Sequence, residues 1–97
     1  MTAFIERKFA LRNGKEVILR LFAPQPGDMD WECETELTWP DRQIRRKLFG
    51  IDGIQALLIA MHLAQVELQD SPEYAAGELT WLEQNRLGLP TLDAFKI

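Results

Sequence analysis

Apolar positions in the first half of the chain recur every second residue. In residues 4–11, Ile5, Phe9 and Leu11 share one parity and Glu6 and Lys8 the other, the pattern of a half-buried strand. Asn13-Gly14 follows, a dipeptide that accepts positive φ and turns hairpins, and residues 16–23 form a second strand rich in β-branched and large apolar side chains. A two-residue loop at Asn13-Gly14 would set Phe9 against Ile18 and Lys8 against Leu19, mixing the faces. A three-residue loop ending on Gly14 as a bulge aligns Ile5, Phe9 and Leu11 with Val17, Leu19 and Leu21, so that register is expected. Residues 24–27, P-Q-P-G, break the strand. A third strand runs over residues 29–39, Pro40-Asp41 turns it, and residues 43–49 make a fourth. The expected pairing puts Trp39 opposite Ile44, Leu37 opposite Arg46 and Thr35 opposite Leu48, with Glu36 opposite Lys47 and Thr38 opposite Arg45.

After Gly50-Ile51 the apolar period lengthens to that of a helix over residues 52–69. Asp52 is placed to accept backbone N–H groups at the N-cap, and Gln55 completes a D-x-x-Q capping box. Ile54, Leu57, Leu58, Met61, Ala64 and Leu68 form the stripe expected to pack on the sheet. Ile59 and Leu63 fall off that stripe, so a second cover is expected, either the C-terminal segment or another copy of the protein. Ser71-Pro72-Glu73 starts a short second helix that Gly77 stops. Residues 78–82 have room for a short fifth strand, and the tail through Leu87, Leu89, Pro90 and Phe95 is apolar enough to lie on the domain.

These elements predict an α+β fold: a four-stranded antiparallel meander, with room for a short fifth strand, and one long helix packed on one face. All 97 residues are expected to form a single domain. The inward set is Ile5, Phe9, Val17, Leu19, Leu21, Trp31, Cys33, Leu37 and Leu48. Ile18 and Phe22 lie on the opposite face, and that half-apolar back calls for cover by the tail or a dimer mate.

Charge sharpens one element. Residues 28–36 read D-M-D-W-E-C-E-T-E, so Asp28, Asp30, Glu32, Glu34 and Glu36 form an acidic ladder on one strand face, while Met29, Trp31, Cys33 and Thr35 face the core. Carboxylates on one strand face lie ~7 Å apart along a line, which prevents the convergence that calcium needs. No metal ligand set is therefore assigned. Solvation and ion pairs with Arg20, Arg45 and Lys47 account for most of the ladder, and a basic protein partner is the functional alternative. The net charge of −4 argues against nucleic acid and anionic membrane as partners. Arg42, Arg45, Arg46 and Lys47 are split between two strand faces, opposite acids.

Candidate chemistry adds little. Cys33 is the sole cysteine and His62 the sole histidine, so neither a disulfide nor a histidine metal cluster can be built within one chain. Cys33 has core parity, where a thiol is inert, and His62 lies beside the helical stripe as a packed or half-exposed residue. No phosphate-binding glycine motif occurs. Trp39 and Trp81 are expected to be partly exposed, and would form an interaction patch if adjacent. The start M-T-A-F-I-E-R-K lacks the pattern of a secretory signal, and the longest apolar run, residues 56–61, is too short to span a bilayer, so a cytoplasmic protein is expected.

E-R-K-F-x-L-x-N-G-x-E-V, W-x-C, G-I-D-G-I-Q-A-L-L-I-A, G-E-L-T-W-L and L-G-L-P together resemble a family of small bacterial proteins with a domain of unknown function. The resemblance spans Glu6 to Pro90 and implies a compact bacterial cytosolic domain. It brings no catalytic residue, cofactor or substrate. The functional expectation is a non-enzymatic protein-protein interaction module, of the immunity or antitoxin type, acting on a basic partner through Asp28, Asp30, Glu32, Glu34 and Glu36. The alternatives are a homodimeric structural module and a small-ligand binder or minor enzyme. The last would have a pocket between the sheet and the C-terminal segment, served by His62, Tyr74 and scattered carboxylates.

Overall fold

The computed structural model describes residues 3–90. Strands β1 (Ile5–Leu11) and β2 (Glu16–Leu21) pair Ile5 with Leu21, Arg7 with Leu19 and Phe9 with Val17. The loop between them is the expected three-residue one. Gly14 N–H donates to Leu11 C=O at 3.0 Å and Leu11 N–H to Lys15 C=O at 2.9 Å, with Gly14 at φ 85°. A type I turn closed by a glycine bulge has this pattern, and the left-handed bulge position is where a missing Cβ matters.

The chain bends at residues 22–24 and resumes as β3 (Gln25–Pro26), so part of the expected break is strand. Both β2 and β3 pair with β4 (Trp31–Thr38), Leu19 against Leu37 and Leu21 against Thr35, then Gln25 against Glu32. On its other side β4 pairs with β5 (Gln43–Gly50). Here the expected register is corrected by two residues: Leu37 faces Ile44, Thr35 faces Arg46, Cys33 faces Leu48, Glu36 faces Arg45 and Glu34 faces Lys47. Trp39 N–H donates to Arg42 C=O at 2.7 Å, which closes a tight turn on Pro40-Asp41 in place of a four-residue loop. A shift of two preserves both faces, so the acid-base pairing survives with different partners.

Helix α1 (Gly53–Gln69) crosses β4 and β5. Asp52 Oδ1 accepts the Gln55 N–H at 2.8 Å, and Gln55 Oε1 accepts the Ile51 N–H at 2.7 Å, so the box closes one residue earlier than its standard form. The buried seam differs from the expected stripe. Ala56, Ala60, Ala64 and Leu68, four apart, lie against the sheet, with Leu57 and Met61 on the flank, whereas Ile54 is 73% exposed. Small residues let the helix axis come close, and Gly50 shows how close: a Cβ there would stand 2.4 Å from the Ala56 nitrogen.

Helix α2 (Pro72–Ala75) is capped by Ser71, whose Oγ accepts the Tyr74 N–H, and it ends before Gly77 at φ 72°. Strand β6 (Leu79–Thr80) then pairs with β1, giving the sheet order β5-β4-β2-β1-β6 with β3 continuing beyond β2 along β4. The core holds Phe9, Leu11, Val17, Leu19, Leu21, Cys33, Leu37, Trp39, Leu68, Leu79 and Leu87. Ile5, expected inside, is 47% exposed: it stays paired with Leu21, but it is the first residue of β1 and lines an open groove there. Leu87 lies in the core with Leu89 packed against it, and Gly88, Leu89 and Pro90 line a groove on the helix side of the sheet together with Ile5, Leu21 and Met61. The described part of the tail therefore does not cover the back face. There Phe22 is buried instead beneath the Arg45 guanidinium, 5.5 Å from its ring centre. Phe95 lies outside the described residues.

Candidate functional site

The acidic ladder divides into two parts. Glu32, Glu34 and Glu36 stand on the back of β4, where alternate residues must project away from the helix. Basic side chains from both neighbouring strands interleave with them. Arg20 bridges Glu6 (3.2 Å) and Glu36 (3.1 Å), Arg45 bridges Glu36 (3.3 Å) and Glu34 (3.9 Å), and Lys47 reaches Glu32 (3.7 Å) and Glu34 (3.9 Å). Each such pair is worth only about 0–1 kcal/mol at a surface, yet together they cancel the ladder's field. Asp28 and Asp30 are separate. They lie in the loop that Gly27 N–H closes on Asp30 C=O at 2.7 Å, they are exposed, and they make no ion pair among the described residues.

That loop belongs to an exposed apolar end. Met29, expected inside, is 95% exposed, since pairing of the strand starts only at Trp31 and the alternation before it has no partner to bury against. It lies beside Phe49 in a shallow groove completed by Asp28, Asp30 and Glu32. On the helix side of Trp31 a second groove is lined by Phe4, Pro24, Trp31, Asp52, Gly53, Ile54 and Leu57. Gly53 allows the helix to start against the indole, for a Cβ there would lie 3.2 Å from the Trp31 ring. Ile51, 80% exposed, stands between the end of β5 and the start of α1. Phe4, Met29, Phe49, Ile51 and Ile54 thus crowd one end of the sheet, with the carboxylates of Asp28, Asp30 and Asp52 among them. Sequence reasoning marked the acids and missed the apolar residues. The available signal was Met29 between two aspartates in a glycine-led loop, and Ile51 outside the helix cap.

The opposite end is closed. Trp39 is buried, contrary to expectation, and Arg42 stacks on its ring at 4.0 Å. Arg42 also donates to both carboxylate oxygens of Glu73, at 2.9 and 3.0 Å, and to Asp41 at 2.8 Å. Hydrogen bonding to Glu73 raises the Arg42 pKa, and hydrogen bonds from Arg42 hold the Glu73 carboxyl below the ordinary carboxylate range. Trp81 carries Arg7 on its face at 3.9 Å, and Arg7 Nη1 donates to Leu87 C=O at 3.0 Å. Each of these tryptophans is stacked with its own arginine, so the expected exposed pair does not form.

The remaining chemistry is sparse. The Cys33 thiol is buried and its pKa is pushed up, by loss of solvation first and by the charge of Glu34 second, and Sγ lies 3.3 Å from Phe22 C=O as donor. His62 is half-buried on α1. The groove between sheet and C-terminal segment holds about 120 Å3, and its lining includes neither His62 nor Tyr74. Small-molecule sites are usually about 300 Å3 or more. Among the described residues no group of three or more His, Cys, Asp or Glu side chains is placed to hold a metal, and no helix is long and apolar enough to cross a membrane.

A family model described as a domain of unknown function, DUF6968, matches residues 5–91. The chain belongs to this family. Searches of curated proteins and of solved structures found no match. For this DUF6968 domain the matched span takes in both ends of the sheet, the neutralised ladder and the apolar loop end alike.

Proposed function

We propose that this domain is a non-enzymatic interaction module, of the immunity or antitoxin type, that docks a basic protein partner on the loop end of its sheet. One observation carries the reading: Phe4, Met29, Phe49, Ile51 and Ile54 are all exposed at that end, next to Asp28 and Asp30, which no cation of the described residues neutralises. Apolar anchors supply affinity once desolvated, and acids near them steer a basic partner and reject an acidic one. The reading places the contact at Asp28 and Asp30, with Glu32 at its margin. It leaves Glu34 and Glu36 as sheet-stabilising residues, because their charges are answered by Arg20, Arg45 and Lys47. A lone buried cysteine suits a reducing cytoplasm as the working compartment.

The test is affinity capture from the native cell at low and high salt, with wild type, Asp28→Lys/Asp30→Lys and Met29→Ser/Ile51→Ser side by side. The expected result is a basic protein retained by wild type, released by salt, and lost from both double variants. Retention indifferent to both variants, or of an acidic protein only, overturns the reading.

A further inference from the structure

Strand β5 has one side without a partner. Among the described residues it pairs with β4 alone, over its full length from Gln43 to Gly50. In an antiparallel strand the N–H and C=O of one residue point to the same edge, and successive residues alternate between edges. The bond from Trp39 N–H to Arg42 C=O assigns Arg42, Ile44, Arg46 and Leu48 to the β4 side. Gln43, Arg45, Lys47 and Phe49 therefore direct their backbone groups outward. Residues 43, 45, 46, 47 and 49 are all exposed, and the strand has neither proline nor bulge to blunt the edge.

The side chains along this edge decide what it accepts. Arg45 and Lys47 face the back of the sheet, where the strand already present on their inner side offers them Glu36 and Glu34. A second copy added edge to edge about a two-fold axis centred on Arg45, Arg46 or Lys47, the registers that pair most of the strand, would place Arg45 or Lys47 against a like charge, and directly opposed like charges destabilise a strand pair. An extended segment with carboxylates at alternate positions would repeat on the outer edge what β4 provides on the inner one.

We propose that the outer edge of β5 is a strand-addition site for an extended segment of a partner protein that carries acidic residues at every second position. Main-chain hydrogen bonds to Gln43, Arg45, Lys47 and Phe49 supply affinity, and Arg45 and Lys47 select the acids. The site adjoins the loop end assigned above to a basic partner and shares Phe49 with it, the side chain serving there and the backbone here.

A fluorescent peptide alternating Glu with Thr and Val is the probe, titrated into the full chain by anisotropy. A Lys-for-Glu counterpart and a scrambled peptide of the same composition serve as controls. Amide hydrogen exchange on the wild-type complex should show new protection at Gln43, Arg45, Lys47 and Phe49, with Arg46 unchanged. Lys47→Pro removes an outward N–H without touching the β4 ladder, and should weaken binding about tenfold or more, beyond the loss in Lys47→Ala. The exchange map on wild type decides the matter even if the proline variant fails to fold. Equal binding of the Lys or scrambled peptide, protection elsewhere, or the same amides protected by self-association without peptide overturns the proposal.

Discussion

Where β4 turns into β5, Trp39 is buried under Arg42 and Arg42 is held by both oxygens of Glu73. Where β4 begins, Met29 and Ile51 stand in solvent, and Asp28 and Asp30 make no ion pair among the described residues. The two ends use the same ingredients, aromatic or aliphatic bulk plus charge, in opposite ways. At the closed end the charge is satisfied within the chain and the bulk is packed, so both contribute to stability. At the open end neither contributes much to folding. Surface that does little for the fold is the part of the molecule available for contact, which is why the functional proposal rests there.

The difference is broken most directly at Trp39. Trp39→Ala should lower stability by about 3–5 kcal/mol, the range for deleting a buried aromatic. In a domain this small each kcal/mol moves Tm by roughly 4–8 °C, so thermal unfolding followed by circular dichroism would show it clearly. The indole N–H of Trp39 is buried without a hydrogen-bond partner among the described residues. Trp39→Phe should therefore recover most of the loss, since no hydrogen bond disappears with the nitrogen. If alanine is as stable as wild type, the closed end does not anchor the fold.

Glu73 gives a smaller effect with a pH signature. Its folded pKa lies below the ordinary carboxylate value, mainly because Arg42 donates hydrogen bonds to it. The charged form is thus favoured on folding. The resulting stability is fully present above the unfolded carboxylate pKa and is lost as pH falls through the lower, folded value. Glu73→Gln should lose about 1 kcal/mol at neutral pH, as befits a two-pronged but partly exposed pair. The gap between variant and wild type should be constant down to about pH 4.5 and then close under more acid conditions. A gap that widens in acid would contradict the assignment.

Much of this contrast was legible in the sequence, and its gaps have definite causes. Asn13-Gly14, the Asp52 cap with Gln55, Ser71-Pro72 and the stop at Gly77 are local chemistry, and each does what its residues dictate. The β4–β5 register was missed because a shift of two residues leaves every side chain on its face, so alternation cannot tell a two-residue turn at Pro40-Asp41 from a longer one. The later half of the helix seam, Ala64 and Leu68, lies in the expected stripe, whereas Ala56 and Ala60, whose value is their small size, do not stand out among larger apolar neighbours. The sequence pattern joins all five acids in one ladder, and only the two-residue shift brings Lys47 to Glu32 and leaves Asp28 and Asp30 apart. The apolar half of the open end was hidden for a different reason: Met29 continues the strand's alternation, and nothing in the pattern marks where pairing stops.

The smallest expected effect is therefore the most telling. Met29→Ser and Ile51→Ser each remove apolar surface that is 95% and 80% exposed respectively in the folded chain. Folding buries almost none of it, so each substitution should change stability by no more than about 0.5 kcal/mol. Urea unfolding with an unchanged slope and midpoint is the expected readout. A loss near 2 kcal/mol would mean that these side chains pack within the chain after all, and their exposure would no longer argue for a partner. Stability left intact by Met29→Ser/Ile51→Ser, combined with loss of partner capture by the same protein, would separate contact from folding at a single pair of residues.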